Sequence, residues 1–210
     1  MSNENAQNPK FSQRSRNRSH SLFRVPAGFF GKTRYRNGMM KHVFQTLFAA
    51  LAISLGGCAK STADLPAVAN FDPQSYAGRW YEIARLPHAF ERGLRHVTAD
   101  YTLNSDGTIT VENRGVKNGV AKSIRGKARL KKGHAGRGEL EVTFFWPFYG
   151  AYRILHLEPD GSAALVTSGT RDFFWILART PVLPAEKLDR FRKQAAEWGF
   201  AVEKFEYPEP

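Results

Sequence analysis

Residues 97–112 read Val97-Thr-Ala-Asp-Tyr-Thr-Leu103, then Asn104-Ser-Asp-Gly107, then Thr108-Ile-Thr-Val-Glu112. On both sides of the central four residues, apolar side chains occupy every second position, which is the pattern of a strand with one buried face. The central residues are turn formers, and the Asp-Gly pair favours a tight hairpin. This segment therefore predicts a β-hairpin.

The same alternation recurs along the chain in both directions, with turn residues every eight to twelve positions. It predicts strands at 81–85, 97–103, 108–112, 121–130, 139–146, 151–157, 163–167 and 173–179. Eight short strands joined by tight turns predict an all-β fold, an antiparallel up-and-down sandwich or barrel.

One helix interrupts the strand pattern near the C-terminus. Pro184 suits a helix start and Gly199 a helix end, and between them four apolar residues share one face. These are Leu188, Phe191, Ala195 and Trp198. A one-sided helix needs an apolar partner, so we expect it to pack on the outside of the barrel, with 201–207 as a short final strand.

The charge of the chain is concentrated at its N-terminus. Of the formal net charge of +12, residues 1–57 supply nine Lys/Arg against one acid, whereas the remainder has 22 basic and 18 acidic residues. A domain so balanced is a poor electrostatic match for a polyanion, so we expect no nucleic-acid partner. Residues 1–38 are polar and basic, and we interpret them as a disordered extension or as sequence upstream of a translation start at Met39 or Met40.

Residues 39–57 have the pattern of an export signal. A basic start is followed by the thirteen-residue apolar run Val43–Leu55, which is too short to span a bilayer, and then by small residues before Cys58. Leu55-Gly-Gly-Cys58 resembles a bacterial lipobox, which implies acylation of Cys58, the only cysteine. The alternative is an ordinary secretory signal with a chance cysteine. Residues 58–70 read as a flexible tether.

Three motifs occur in order in the rest of the chain: Gly78-Arg-Trp-Tyr-Glu82, Thr170-Arg-Asp-Phe173 and Trp175-Ile-Leu-Ala-Arg-Thr-Pro181. Together with the order of the elements they resemble the lipocalins, most closely the bacterial outer-membrane and apolipoprotein D-like members. The resemblance implies an eight-stranded lipocalin barrel over 71–210. It also implies a structural motif of Gly78, Trp80, Asp172 and Arg179, in which the Arg179 guanidinium lies over the Trp80 indole at the closed end of the barrel.

Barrels of eight strands leave room for one small ligand. If Trp80 points inward, alternation predicts an apolar lining, which suits a fatty acid or a lysophospholipid. The predicted ligand-binding residues are Glu82, Ala84, Val97, Ala99, Tyr101, Leu103, Ile109 and Val111, with Phe144 and Trp146 at a pocket rim or a membrane-facing lip. Glu82 either braces the barrel or contacts the ligand.

The sequence shows no constellation for catalysis, metal binding or cofactor binding, so we expect neither an enzyme nor a cofactor. The expected partners are the lipid ligand and the outer membrane, reached through acylated Cys58, with the barrel on the periplasmic side. Whether the open ends pair into a homodimer stays open. The alternative function is that of a structural envelope lipoprotein whose barrel is filled by its own side chains.

Overall fold

The computed structural model describes residues 59–209. Cys58, the predicted export signal at 39–57 and the predicted extension at 1–38 lie outside the described residues.

Eight antiparallel strands form a closed barrel in which each strand pairs with its sequence neighbours and the last pairs with the first. The strands are β1 (Gly78–Arg85), β2 (Arg95–Leu103), β3 (Ile109–Lys117), β4 (Val120–Leu130), β5 (Glu139–Phe145), β6 (Phe148–Leu157), β7 (Ala163–Thr167) and β8 (Phe174–Ala178). The helices are α1 (Pro73–Tyr76) and α2 (Ala185–Glu197). The predicted barrel with a C-terminal helix is confirmed.

The connections between strands divide the barrel into two ends. At the closed end β1 begins, beneath α1, whose start is capped by the Asp72 carboxylate accepting from the amides of Gln74 and Ser75. The other end, which we call the mouth, carries the β1–β2, β3–β4, β5–β6 and β7–β8 connections.

Two apolar cores follow from the alternation of side chains. The inner core fills the closed half of the barrel around Trp80, Ile109 and Val166. The outer core lies between the barrel wall and α2, whose Phe191 and Ala195 are buried against β7 and β8. The helix therefore covers the outer face of these strands, as its one-sided pattern predicts.

A β-bulge in β1 changes which side chains face inward. Glu82 pairs with Leu177, but Ala84 pairs with Ile176, so the register shifts by one residue between them. The extra residue turns Ala84 to the outer core, and the prediction that Ala84 lines the interior is wrong for this reason.

The segment predicted as a flexible tether is largely part of the fold. Residues 61–70, which we call the strap, run along the outside of β6 from the mouth to the closed end. Thr62, Leu65 and Ala67 are buried, and the Val68 amide donates to the Ile154 carbonyl at 2.9 Å. The tether prediction is corrected because the strap satisfies both its apolar side chains and its backbone on the barrel wall.

The predicted final strand at 201–207 is also corrected. Residues Val202–Lys204 form a turn of 3-10 helix, and pairing is limited to a single bridge between Arg85 and Glu206. Farther along, the His96 amide donates to the Glu209 carbonyl at 2.9 Å. Near the mouth β1 and β2 are not paired, and the C-terminal residues bond to both strands.

Candidate functional site

The closed end of the barrel is sealed by Trp80 and Arg179. Trp80 is fully buried, and its indole N–H donates to the Tyr76 carbonyl at 2.9 Å. The Arg179 guanidinium lies 3.8 Å from the ring centroid and donates to the backbone carbonyls of Arg79 and Ser75. The two side chains therefore form a cation–π contact that closes this end of the barrel. Neither side chain lies in the mouth half.

Gly78 is needed for that closure. Its φ of 95° is one that L residues rarely adopt, and a Cβ built there would lie 3.3 Å from Arg179 Nη1. The glycine of the first motif therefore makes room for the arginine of the third.

Above this floor, three tyrosine hydroxyls form a chain across the barrel. Tyr152 Oη lies 2.7 Å from Tyr76 Oη and 3.0 Å from Tyr101 Oη. Burial raises the pKa of Tyr101 to about 12, and burial likewise raises those of Tyr76 and Tyr152 well above 10. The hydroxyls are therefore neutral donors and acceptors at the base of the interior. Sequence reasoning found Tyr101 by alternation, but it missed Tyr76 and Tyr152.

In the mouth half, several inward-facing side chains keep part of their surface accessible. They include Asn113, Ile124, Phe144 and Trp175. The lining is apolar and aromatic with a few polar groups, which is the usual make-up of a small-molecule site.

Asn113 is the polar group of this lining that lacks a partner. It lies on β3 opposite Ala99 and Ile124, and its side-chain oxygen is buried with no hydrogen-bond partner. An unpaired buried acceptor costs free energy, so the site gains if a bound molecule donates to it. Sequence reasoning missed Asn113, although its place two residues after Val111 in the same strand was the available signal.

Gly126 provides space for an aromatic ring inside the barrel. A Cβ there would lie 2.7 Å from Phe144 Cδ1 and 2.5 Å from the Thr143 carbonyl oxygen. The Phe144 ring can therefore lie against β4 on the inner side, where it packs with the inner core.

A buried acidic pair lies near the mouth. Glu82 accepts from Arg85 Nη1 at 2.7 Å, and both side chains are almost fully buried. Glu91, from the β1–β2 connection, accepts from the Trp175 indole at 3.1 Å. Burial raises the pKa of Glu82 well above 4.5 and the nearby Glu91 charge raises it further, although Arg85 acts in the opposite direction.

The β1–β2 connection covers part of the mouth with aromatic rings. The His88 ring stacks on Phe90 with centroids 3.8 Å apart and lies 5.3 Å from Trp175. His88 Nε2 is 2.9 Å from the Glu91 carboxylate, so this cover combines stacking with a charged edge.

The structure brings most of the predicted lining residues together. Those on the inner face are Glu82, Val97, Ala99, Tyr101, Leu103, Ile109, Val111 and Phe144. Ala84 lies on the outer face. Trp146 lies outside the interior, at the tip of the β5–β6 hairpin, with 82% of its surface exposed. Asp172 is exposed on the β7–β8 connection, within 3.5 Å of the Thr170 hydroxyl.

Residues 59–209 contain neither a membrane-spanning helix nor a cluster of metal-ligating side chains. No helix there has the length and apolar character needed to cross a membrane. No three His, Cys, Asp or Glu side chains in this part of the chain are grouped so that they could hold a metal ion.

The chain is similar in sequence to a known protein family and to characterised relatives. A family model described as a lipocalin-like domain matches residues 71–210. The outer membrane lipoprotein Blc of Vibrio cholerae serotype O1 is 39% identical over 171 residues, which cover 80% of this chain and 98% of that protein. Outer membrane lipoprotein Blc of Escherichia coli K12 is 44% identical over 140 residues, covering 66% of this chain and 78% of the relative.

Among solved structures, insecticyanin from the tobacco hornworm Manduca sexta superposes with a TM-score of 0.60 at 22% identity. The match covers 70% of this chain and 85% of that one. At this level of identity the likeness supports the fold alone.

Proposed function

The chain belongs to the lipocalin family, and from this premise we propose that it binds one fatty acid or lysophospholipid inside the barrel. The ligand's acyl chain lies against the apolar inner face of the mouth half. Its polar end meets the few polar groups of that lining.

The observation that carries this proposal is the unpaired oxygen of Asn113 on an apolar, partly accessible inner face. In a barrel filled by its own side chains, an unpaired buried acceptor would lower the stability of the fold and contribute nothing to binding. The glycerol hydroxyl of a lysophospholipid is a donor that could satisfy it.

We also propose the place where this binding occurs. Relatives named outer membrane lipoproteins and the lipobox-like Leu55–Cys58 support attachment to the outer membrane through an acylated Cys58, with the barrel on the periplasmic side. Binding occurs without turnover of the lipid, since the proposed role is that of a carrier.

The test is titration with lysophospholipid and with fatty acid, comparing wild type, Asn113→Leu and Thr102→Leu. Because Asn113→Leu removes an acceptor that the lysophospholipid hydroxyl needs, its affinity for that lipid should fall about fivefold to tenfold, the equivalent of one net hydrogen bond. The affinity for a fatty acid carboxylate, which has no donor, should change little.

Thr102 is exposed on the outer side of β2, so Thr102→Leu is the matched control and should bind both lipids like the wild type. In the absence of lipid, Asn113→Leu should also be more stable than the wild type by about 1–2 kcal/mol, because no acceptor is left unpaired. No saturable binding of either lipid by the wild type would contradict the proposal and would favour the structural lipoprotein.

A further inference from the structure

The described chain begins at the mouth of the barrel and is fixed there. The Lys60 carbonyl accepts from the Arg171 amide at 2.9 Å, and the Thr62 amide donates to the Gly169 carbonyl at 3.1 Å. Arg171 also binds the Asp64 carboxylate through two guanidinium nitrogens, at 2.7 and 3.0 Å. These contacts tie the start of the strap to the β7–β8 connection, which is a mouth connection.

Chain length then limits where Cys58 can be. It precedes Lys60 by two residues, and two extended residues span at most about 7 Å. An acyl group on Cys58, as proposed above, would therefore be attached within about 7 Å of Lys60, at the mouth end of the barrel.

Exposed apolar side chains are concentrated at the same end. Trp146 (82% exposed) and Phe148 (69%) lie at the tip of the β5–β6 hairpin, Val120 (54%) is the first residue of β4, and Tyr207 (47%) lies beside β1 and β2. Among residues 59–209, Val182 (64%) is the exposed large apolar side chain at the closed end.

The aromatic hairpin and the start of the strap are neighbours. The Thr62 amide donates to the Gly169 carbonyl, and a Cβ built at Gly169 would lie 3.7 Å from the Cβ of Ala151 in β6. The start of the strap therefore lies next to the part of β6 that leads back to the hairpin tip at Trp146.

Charge alone does not distinguish the two ends. Lys60, Arg92 and Lys117 are exposed at the mouth, but Lys131 and Lys132 are exposed at the closed end. The aromatic tips do distinguish them, because Trp and Tyr favour the interface between acyl chains and headgroups, and basic residues near them suit anionic headgroups.

We propose that the mouth of the barrel docks onto the surface of a phospholipid bilayer, with Trp146, Phe148 and Val120 inserted at the interface beside the acylated Cys58. The proposal rests on the proposed function, because a docked mouth lets a lipid pass between bilayer and barrel without crossing water. The occupant of this surface is the bilayer that carries the anchor.

The test is fluorescence quenching of the acylated protein in phosphatidylglycerol-containing vesicles whose phospholipids carry brominated acyl chains. Wild type should be quenched more than Trp146→Phe. In the Trp146→Phe background, Val120→Trp should restore the quenching and Val182→Trp should not. The two added tryptophans replace valines of similar exposure at opposite ends, so each is the control of the other.

Equal quenching of the two added tryptophans, no quenching of either, or quenching of Val182→Trp alone would overturn the docked orientation. Lipid titration of the wild type in solution is measured separately. If the wild type binds lipid but the Val120→Trp and Val182→Trp proteins are quenched equally, the docked orientation is wrong and the binding function stands. If Val120→Trp alone is quenched and the wild type binds no lipid, the docked orientation stands and the binding function is wrong.

Discussion

At the scale of single residues, the most unusual group is the carboxyl of Glu82. Burial of an ionised carboxylate is costly, and Arg85 compensates for it only in part because Glu91 brings a second acid close by. Arg85 is shared, since it also binds the Glu206 carboxylate at 2.9 Å. The Glu82–Arg85 pair thus joins residues on either side of the bulge in β1. Its burial leaves the pKa of Glu82 well above the ordinary value.

The raised pKa of Glu82 makes a prediction about pH. Because the folded-state pKa lies above the ordinary 4.5, protonated Glu82 contributes stability that is fully present below about pH 4.5 and is lost as pH rises through the raised value. Glu82→Gln cannot lose a proton, so its melting temperature relative to wild type should increase from acid to neutral pH. Thermal melts between pH 4 and pH 8 measure this.

The matched control is Glu197→Gln, in which the same exchange is made on the exposed side of α2. The difference in melting temperature between Glu197→Gln and wild type should not increase from acid to neutral pH. A constant difference between Glu82→Gln and wild type across the range would contradict the raised pKa.

At the scale of elements, the strap depends on arginines that come much later in the chain. The buried Arg153 guanidinium of β6 donates to the Thr62 carbonyl, to the Leu65 carbonyl at 2.7 Å and to the Glu139 carboxylate at 3.2 Å. One side chain therefore joins the strap to two strands.

Replacing Arg153 with Met should release the strap, because the Thr62 and Leu65 carbonyls lose their donor, whereas Glu139 keeps His134 and Arg137 nearby. We expect a loss of about 2–4 kcal/mol in the free energy of unfolding and faster proteolysis within residues 61–70. Arg192→Met, on exposed α2 with a carboxylate 3.8 Å away, is the control and should cost less than about 1 kcal/mol. Denaturant melts and limited proteolysis compare the two, and equal losses would show that the strap is not held by Arg153.

Local patterns in the sequence predicted the elements well where one hydrogen-bond register persists. Alternation placed Tyr101, Ile109 and Val111 correctly on the inner face, because β2 and β3 pair without a shift over these residues. It misplaced Ala84, because a bulge depends on pairing with β8, about ninety residues away. The strap was missed for a similar reason: its few apolar residues are irregularly spaced, and its partners Arg153 and Arg171 are distant in sequence.

At the scale of the whole molecule, the domain and its proposed anchor are separable parts. The barrel, both cores and the proposed ligand site lie within residues 59–209, whereas attachment to a membrane is assigned to Cys58. Several acyl chains are needed for durable anchoring, since one chain alone holds a protein only marginally.

Cys58→Ser should therefore lose the anchor and keep the barrel. Metabolic labelling with a radioactive fatty acid should mark the wild type and not the variant, and the variant should move from the membrane to the soluble fraction of the cell envelope. Its circular dichroism and lipid titration should match those of the wild type. Label on Cys58→Ser would mean that the acylated residue is a different one.

The pairing of β1 with β8 and with the C-terminal residues sets the order in which the barrel can fold. β1 pairs with β8 and forms a bridge with Glu206, and the His96 amide donates to the Glu209 carbonyl. The barrel therefore cannot close until the final residues have been synthesised. Contacts between distant parts of a chain form late. If the chain is exported N-terminus first, as the proposed signal at 39–57 requires, β1 would therefore lack its partner β8 until the last part of the chain has crossed.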